Sequence, residues 1–247
     1  MTAIDRKQRA ALEREHLFLD TARSILLERG YIGLTMDRIA EATEFSKGTV
    51  YQHFANKEEV LAGLAGRLME TKVELFRRAW DFEASSRERC MALGIASSLW
   101  AALYPDDIRL TQIVHSQSLR EKLGDERLAL LESTEETCSS TVVGLVEAAV
   151  EGGDLTLSGS MTAGQLAHGL WSLHWGAQTL SQLDLPLERF DADDSPALLM
   201  RHCHALLDGY GWRPLFHEHD WSETERRVRE ELFADEFARL SLAHSDR

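Results

Sequence analysis

Apolar residues recur at helical spacing along most of the chain. The spacing predicts longer helices over 14–29, 57–81, 86–103, 107–117, 120–151, 160–183 and 195–210. Breaks are expected at Pro105, at Gly152-Gly153 and in the acidic stretch from Pro186 to Pro196, which reads as an exposed loop. Because no convincing β alternation and no internal repeat interrupt the helical pattern, we predict an all-α fold.

Two short helical segments separated by a break lie between Leu34 and Lys57. Thr35 and Ser46 are favourable N-caps, and each stands where a helical pattern begins. Val50 and Phe54, four residues apart, give the second segment an inward stripe. This layout is typical of a helix-turn-helix whose second helix reads DNA.

The second segment carries polar and small residues on its other side. Free backbone N–H groups at the start of each short helix favour a phosphate. Gly48 lets the helix approach a DNA backbone closely, although a helical glycine costs roughly 1 kcal/mol relative to alanine. One face of the segment therefore packs and the other is available for DNA.

These residues resemble the DNA-binding domain of the TetR family of transcriptional regulators. The matching stretch covers about residues 14 to 64, and its segments are Arg29-Gly30-Tyr31, Leu34-Thr35-Met36, Ile39-Ala40, Ser46 to Phe54 and Asn56-Lys57-Glu58. The resemblance implies that Thr35, Lys47, Thr49, Tyr51, His53 and Lys57 contact operator phosphates and bases. Together with the caps and the polar face, the candidate DNA-binding set is Thr35, Ser46, Lys47, Gly48, Thr49, Tyr51, Gln52, His53 and Lys57.

The turn between the two short helices departs from the family pattern. The family usually has glycine where this chain has Glu44. Glu44 must therefore either adopt a left-handed conformation or reshape the turn, and its negative charge lies near the DNA face.

The chain is predicted to have three parts. These are a helix-turn-helix domain over 1–60, a larger helical ligand-binding and dimerisation domain over 61–215, and an extra C-terminal helix over 216–247. The resemblance implies a homodimer in which segments 160–183 and 195–210 pair with their twins. Trp171 and Trp175 fit core or interface aromatics better than ligand walls. The C-terminal segment shows a capping box, Ser222-x-x-Glu225, before a helical apolar stripe. It either packs on its own body or partner, or offers an additional interaction surface.

The family resemblance also implies an effector cavity in the body. Candidate lining residues bring aromatic area and sparse polarity to apolar faces, and they are Trp100, Leu103, Tyr104, His115, Cys138 and Trp171. A structural role is the competing interpretation for His115, His174 and Cys138. Because no cluster of Arg or Lys accompanies these positions, the expected effector is a small, mainly apolar or aromatic molecule.

Composition limits the alternatives. The 247 residues carry a net charge of −14, but residues 1–57 hold nine Lys/Arg against eight Asp/Glu, leaving 18 against 33 for the rest. An N-terminal DNA-binding domain with so little positive charge predicts few phosphate contacts, dependence on dimerisation and DNA binding that weakens with salt.

No apolar run approaches 18 residues and no leader is evident, so a cytoplasmic protein without a membrane segment is expected. The three cysteines read as reduced thiols.

We therefore predict a homodimeric repressor that binds a near-palindromic operator and carries neither a cofactor nor a metal. The histidines near the C-terminus, His202, His204, His217 and His219, with Cys203, form only a weak metal pattern. Familiar catalytic motifs are absent, which disfavours an enzyme with a hidden helical site. A helical adaptor without operator binding is the remaining alternative, suggested by Glu44 and the acidic body.

Overall fold

A computed structural model describes residues 3–183 and 195–245, which form helices and connecting turns without a β-strand. The α-helices are α1 (Ala3–Gly33), α2 (Met36–Thr43), α3 (Lys47–Tyr51), α4 (Lys57–Trp80), α5 (Ser86–Leu103), α6 (Pro105–Val114), α7 (Gln117–Arg120), α8 (Asp125–Glu151), α9 (Ala163–Leu180), α10 (Ser195–Gly209), α11 (Trp221–Arg227) and α12 (Ala234–Ser245). A 3₁₀ turn (Phe216–Glu218) precedes α11, and a π turn (Val228–Leu232) joins it to α12. The predicted all-α fold is confirmed.

Several helix boundaries differ from the predicted ones. The first helix begins at Ala3 rather than near residue 14, while Gly30, with φ of 65°, interrupts it at the expected stop. The break expected at Pro105 is confirmed, because α5 ends at Leu103 and Pro105 itself opens α6, where the first helical position needs no backbone donor. The predicted helix 120–151 begins instead at Asp125 as α8, and the short α7 lies between it and α6. Most of the expected loop from Pro186 to Pro196 falls within residues 184–194, outside the described residues, and α10 already begins at Ser195.

The first compact unit contains the residues up to Met69 together with Arg109–Ser133. Its core is formed by apolar residues of α1 to α4 and of Arg109–Ser133. They include Phe18, Ile39, Val50, Phe54, Leu61, Leu110, Val114, Leu119 and Leu131. Ion pairs Lys122–Glu58 (2.9 Å) and Arg127–Glu15 (3.0 Å) add to this packing. The compact unit that contains the helix-turn-helix therefore includes residues far along the chain as well as the N-terminal ones. The predicted domain range 1–60 is a single continuous stretch and does not include them.

The second unit contains Glu70–Ile108 and the residues from Thr134 onward. Helix α5 lies at its centre, where it packs against α9, α10 and α12. Trp100, on α5, is 1% exposed. None of the described helices is both long and apolar enough to cross a bilayer.

The C-terminal segment packs on the body of its own chain. Val228 and Phe233 are fully buried, and Glu236 pairs with Arg78 of α4 at 2.5 Å. The predicted capping box at Ser222 is wrong, because the N-cap is Asp220, whose carboxylate accepts a hydrogen bond from the Ser222 backbone at 3.1 Å. The segment is two helices joined by a π turn rather than the single helix that its apolar stripe predicted.

A fully buried arginine connects this tail to α5. The guanidinium of Arg87 contacts the Asp208 carboxylate at 2.7 Å and donates to the Trp212 carbonyl at 2.5 Å. His204 packs between the rings of Phe216 and Trp221, with centroids 4.9 and 4.6 Å away. Burial, followed by the charge of Arg87, lowers the pKa of His204 to about 4. In the described residues, no three His, Cys, Asp or Glu side chains are grouped to hold a metal.

Candidate nucleic-acid interface

The two short helices of the first unit begin at the predicted caps. The Thr35 hydroxyl accepts a hydrogen bond from the Arg38 backbone at 3.3 Å, and the Ser46 hydroxyl accepts one from the Thr49 backbone at 3.1 Å. Val50 and Phe54 are fully buried, as their spacing predicts. Since only these two residues of the segment point into the core, the rest of α3 is held at the surface by its own sequence.

All nine candidate DNA-binding residues keep contact with solvent. Six are exposed: Thr35, Ser46, Lys47, Gly48, Tyr51 and Gln52. Three are half-buried: Thr49, His53 and Lys57. The Tyr51 side chain is 51% exposed although it is large and aromatic. The structure therefore brings the whole predicted set to the surface of one unit.

His53 has a structural role as well as an exposed edge. Its ring lies 5.3 Å from the Phe18 ring in an edge-on arrangement. Desolvation by this packing lowers the pKa of His53. The imidazole is consequently neutral at physiological pH.

Lys57 is positioned by an aromatic neighbour whose role was not evident from sequence. Its ammonium lies 3.9 Å from the centroid of the Tyr31 ring. The Tyr31 hydroxyl donates to Glu58 at 3.3 Å, and Glu58 in turn pairs with Lys122 at 2.9 Å. The cation–π contact holds the Lys57 charge at the N-terminus of α4.

Lys47 is already paired with an acid. Its ammonium lies 2.6 Å from a carboxylate oxygen of Asp37, and this hydrogen bond raises the pKa of Lys47. Asp37, Glu41 and Glu44 line a groove beside Lys47, with Ala40 and Phe45 as its apolar part. The acid was overlooked because Asp37 precedes Lys47 by ten residues and belongs to the other short helix.

Glu44 adopts the left-handed conformation, with φ of 58° and ψ of 16°. It is the one non-glycine residue with positive φ that the described residues contain. The turn thus keeps the geometry that suits glycine, at a backbone cost of roughly 1–2 kcal/mol for a side chain with a Cβ.

Replacing Glu44 by glycine should therefore stabilise the protein. Part of the relieved strain is offset by the greater entropy of glycine in the unfolded chain, so we expect a net gain of roughly 0.5–1 kcal/mol in the free energy of unfolding. Urea denaturation measures this quantity. Glu44→Ala removes the same charge but keeps the Cβ, and an equal gain in that variant would contradict a conformational origin.

The candidate effector residues are not all in one place. Trp100 and Cys138 are buried in the second unit, where Leu103 and Tyr104 are half-buried. His115 belongs to the first unit and is exposed. Trp171 is 52% exposed, and its ring lies edge-on to His168 and tilted against Trp175, with centroids 5.8 and 5.7 Å away. His115 and Trp171 therefore do not line an interior of the second unit with Trp100, because the first lies on the turn after α6 and the second on the outer side of α9.

Lys72, which sequence reasoning did not select, lies beside Trp100 and Cys138. Its ammonium is 4.9 Å from the Trp100 ring centroid. The available signal was its spacing, one helical turn from Leu68 and from Phe76 on an otherwise apolar stripe of α4.

Comparison with known proteins agrees with this geometry. The family model described as bacterial regulatory proteins, tetR family, matches residues 18–64. The chain is 32% identical over 80 residues to the transcriptional activator FasR of Mycolicibacterium smegmatis, covering 32% of this chain and 36% of that protein. It is 40% identical over 60 residues to the transcriptional repressor AcnR of Corynebacterium efficiens, covering 23% of this chain and 32% of that protein. The chain thus matches about a third of the length of these curated relatives.

The fold comparison extends over most of the chain. A bacterial regulatory protein in the tetR family from Rhodococcus RHA1 has a TM-score of 0.60 at 19% identity, covering 80% of this chain and 97% of that one. The capped short helices, the exposed α3 face and the family match lead to the same assignment: residues 18–64 are a DNA-binding domain of the tetR type, and the chain shares the fold of a tetR-family regulator.

Proposed function

We propose that this chain is a homodimeric transcriptional repressor, which acts on DNA in the cytoplasm and is released by a small, mainly apolar or aromatic effector. The observation that carries the proposal is the exposed face of α3. Val50 and Phe54 anchor the helix in the core, while Tyr51 keeps 51% of its surface exposed. A helical adaptor would not require such a face above a capped helix N-terminus.

The charge of the head favours action as a dimer. Lys47 is compensated by Asp37, so Lys57 contributes most of the uncompensated charge among the candidate contacts. One head with so few available cations holds DNA weakly, whereas coupling two heads raises the effective concentration of the second. Exposed apolar side chains on α9, Trp171 and Leu180, support pairing through α9 and α10.

Regulation requires that the effector bind one dimer geometry better than another. Helices α4, α6 and α8 each have one end in the first compact unit and the other end in the second. A conformational change on effector binding in the second unit can therefore reach the DNA-binding unit through these helices. A coupling of about 1–3 kcal/mol would lower DNA affinity roughly 5- to 150-fold. The proposed sign of regulation follows the match to AcnR, a repressor, whereas the match to FasR, an activator, supports the opposite sign.

Selection of bound duplexes from a random DNA library by the full chain tests the proposal. We expect enrichment of an inverted repeat with half-sites about one helical turn apart, ~34–36 Å, or at a related spacing. Selection repeated with Tyr51→Ala serves as the control and should enrich the same sequence more weakly. A wild-type pool without a shared sequence would favour the adaptor instead.

Asp37 should act as an internal competitor for phosphate. Asp37→Asn frees the Lys47 ammonium and removes a negative charge from the DNA side, so operator affinity should rise roughly two- to fivefold, a small change because the pair is exposed. Fluorescence anisotropy at fixed salt measures this. In a Lys47→Met background the same substitution should give a smaller gain, and an undiminished gain would show that Asp37 does not act through Lys47.

A further inference from the structure

The connection between α7 and α8 is bonded to the N-terminus of α4, within the first compact unit. The side-chain amide of Asn56 donates to the Lys122 carbonyl at 2.9 Å. The Gly124 backbone N–H donates to one carboxylate oxygen of Glu59 at 3.1 Å, and the other oxygen accepts from the Ala55 backbone at 2.8 Å. The backbone of the connection is therefore fixed against α4, although the bonded residues are 65 and 66 positions apart in the sequence.

This anchoring brings the Lys122 side chain to Glu58. The Lys122 ammonium lies 2.9 Å from a carboxylate oxygen of Glu58, which is only 7% exposed. Burial favours a higher pKa for Glu58, but its hydrogen bonds, above all the one from Lys122, outweigh burial and lower that pKa. In the part of the chain that the structure describes, no second cation pairs with this carboxylate. Glu58 is thus a nearly buried anion whose charge Lys122 neutralises.

Tyr31 places a second lysine beside the same carboxylate. Its hydroxyl donates to Glu58 at 3.3 Å, while the Lys57 ammonium lies 3.9 Å from the centroid of its ring. Lys57 and Glu58 are neighbours on α4, so their side chains leave the helix in different directions. The long, flexible stem of Lys57 nevertheless allows its ammonium to turn towards Glu58 if that charge loses its partner. Lys122 and Lys57 are therefore alternative cations for one carboxylate, and Lys122 occupies it.

We propose that Lys122 is a positioning residue for the DNA contact of Lys57. By neutralising Glu58, it leaves the Lys57 ammonium over the Tyr31 ring, where it is available to a phosphate. Exposed ion pairs add little to stability, and the effect of this pair lies instead in deciding which lysine holds Glu58. That Lys57 contacts DNA rests on the proposed function, whereas its placement by Lys122 does not.

NMR of the lysine side chains in the full chain, without DNA, tests the placement. The chain has five lysines, which single Lys→Arg substitutions can assign in a sample with ¹³C-labelled lysine: Lys7, Lys47, Lys57, Lys72 and Lys122. The Hε protons of Lys57 should resonate upfield of those of Lys7, an exposed lysine of α1, because the Tyr31 ring shields them. Lys122→Met should remove most of this upfield displacement, whereas Lys122→Arg, which keeps the charge, should retain it.

Glu58→Gln separates the carboxylate charge from the packing around it. Glutamine still accepts from Tyr31 but carries no charge for a lysine to neutralise. In this background, Lys122→Met should leave the Lys57 resonance where Glu58→Gln alone places it. A further displacement would show that Lys122 does not act on Lys57 through Glu58, and it would overturn the proposal.

Anisotropy titrations on the selected operator add the functional readout. Lys122→Met should lower operator affinity about three- to tenfold and reduce the salt slope by about one unit per protomer, since one phosphate contact is lost. Lys122→Arg should preserve both quantities. Lys7→Met removes the same charge at an exposed site and should stay within about twofold of the wild type. In a Lys57→Met background, Lys122→Met should cost no more than about twofold further, because the contact that it positions is already gone.

Two further outcomes would overturn the proposal. One is a Lys57 resonance that Lys122→Met leaves unchanged. The other is full additivity of the Lys57 and Lys122 substitutions on operator affinity, which would indicate that Lys122 binds phosphate itself. Because the NMR samples contain no DNA, a chain that selects no operator but shows the expected resonance changes would contradict the regulator function and retain the placement of Lys57 by Lys122.

Discussion

Tyr51→Ala should lower operator affinity by at least about tenfold while leaving the fold intact. The Tyr51 side chain is 51% exposed on α3 and lies outside the core that Val50 and Phe54 form. Loss of one base or phosphate contact typically costs about 1–3 kcal/mol, and a dimer loses the contact twice. Anisotropy titrations on the selected operator, at one salt concentration, measure the change.

Tyr51→Phe is the matched control for that experiment. It keeps the ring and removes the hydroxyl, so it separates a hydrogen bond to DNA from apolar contact with a base. The thermal midpoints of both variants should match that of the wild type. If Tyr51→Ala bound the operator with wild-type affinity, the assignment of α3 as the DNA-recognition helix would be wrong.

Asp208→Asn should produce the largest loss of stability among the single substitutions considered. The Asp208 carboxylate lies 2.7 Å from the guanidinium of Arg87, which is fully buried, and it also accepts from the Phe216 backbone at 2.9 Å. Removing one partner of a buried ion pair costs about 3–5 kcal/mol. Because the Asp208 side chain is 33% exposed, we expect a smaller cost, roughly 2–3 kcal/mol.

Urea denaturation at pH 7 measures this loss, and Glu74→Gln is its control because the Glu74–Arg77 pair is exposed and should contribute little. The pH dependence gives a second check. The hydrogen bond from Arg87 helps to lower the pKa of Asp208 against the opposing effect of burial. The carboxylate therefore stabilises the protein above the ordinary aspartate pKa and loses its effect as the pH falls, so the two proteins should converge in acid. If the difference in unfolding free energy between the wild type and Asp208→Asn stayed constant down to low pH, the Asp208 carboxylate charge would not be its cause.

The reading head was predictable because its signals are local. The caps at Thr35 and Ser46 and the stripe of Val50 and Phe54 lie within a few residues of the features they determine, and the structure confirms each. The π turn in the C-terminal segment was not predictable in this way. It depends on packing of Phe233 and on the contact of Arg78 with Glu236, more than 150 residues apart in sequence.

Tertiary contacts also determine which candidate residues can act together. The Asp37–Lys47 pair joins two helices across the turn, and no periodicity within either helix reveals it. Lys72 was not selected from the sequence, and only the fold shows that the Trp100 ring of α5 lies against it. His115 and Trp171 were chosen by residue type, which carries no information about the unit or the side of the helix on which they lie.

The central claim is that this chain recognises one DNA sequence through α3. Its most direct test is anisotropy titration of the full chain, at several salt concentrations, against the selected operator and a scrambled duplex of equal composition. We predict at least about a 10³-fold preference for the operator at physiological salt, and affinity for both duplexes that falls as salt rises. Equal affinity for the two duplexes, or no binding to either at low salt, would contradict it.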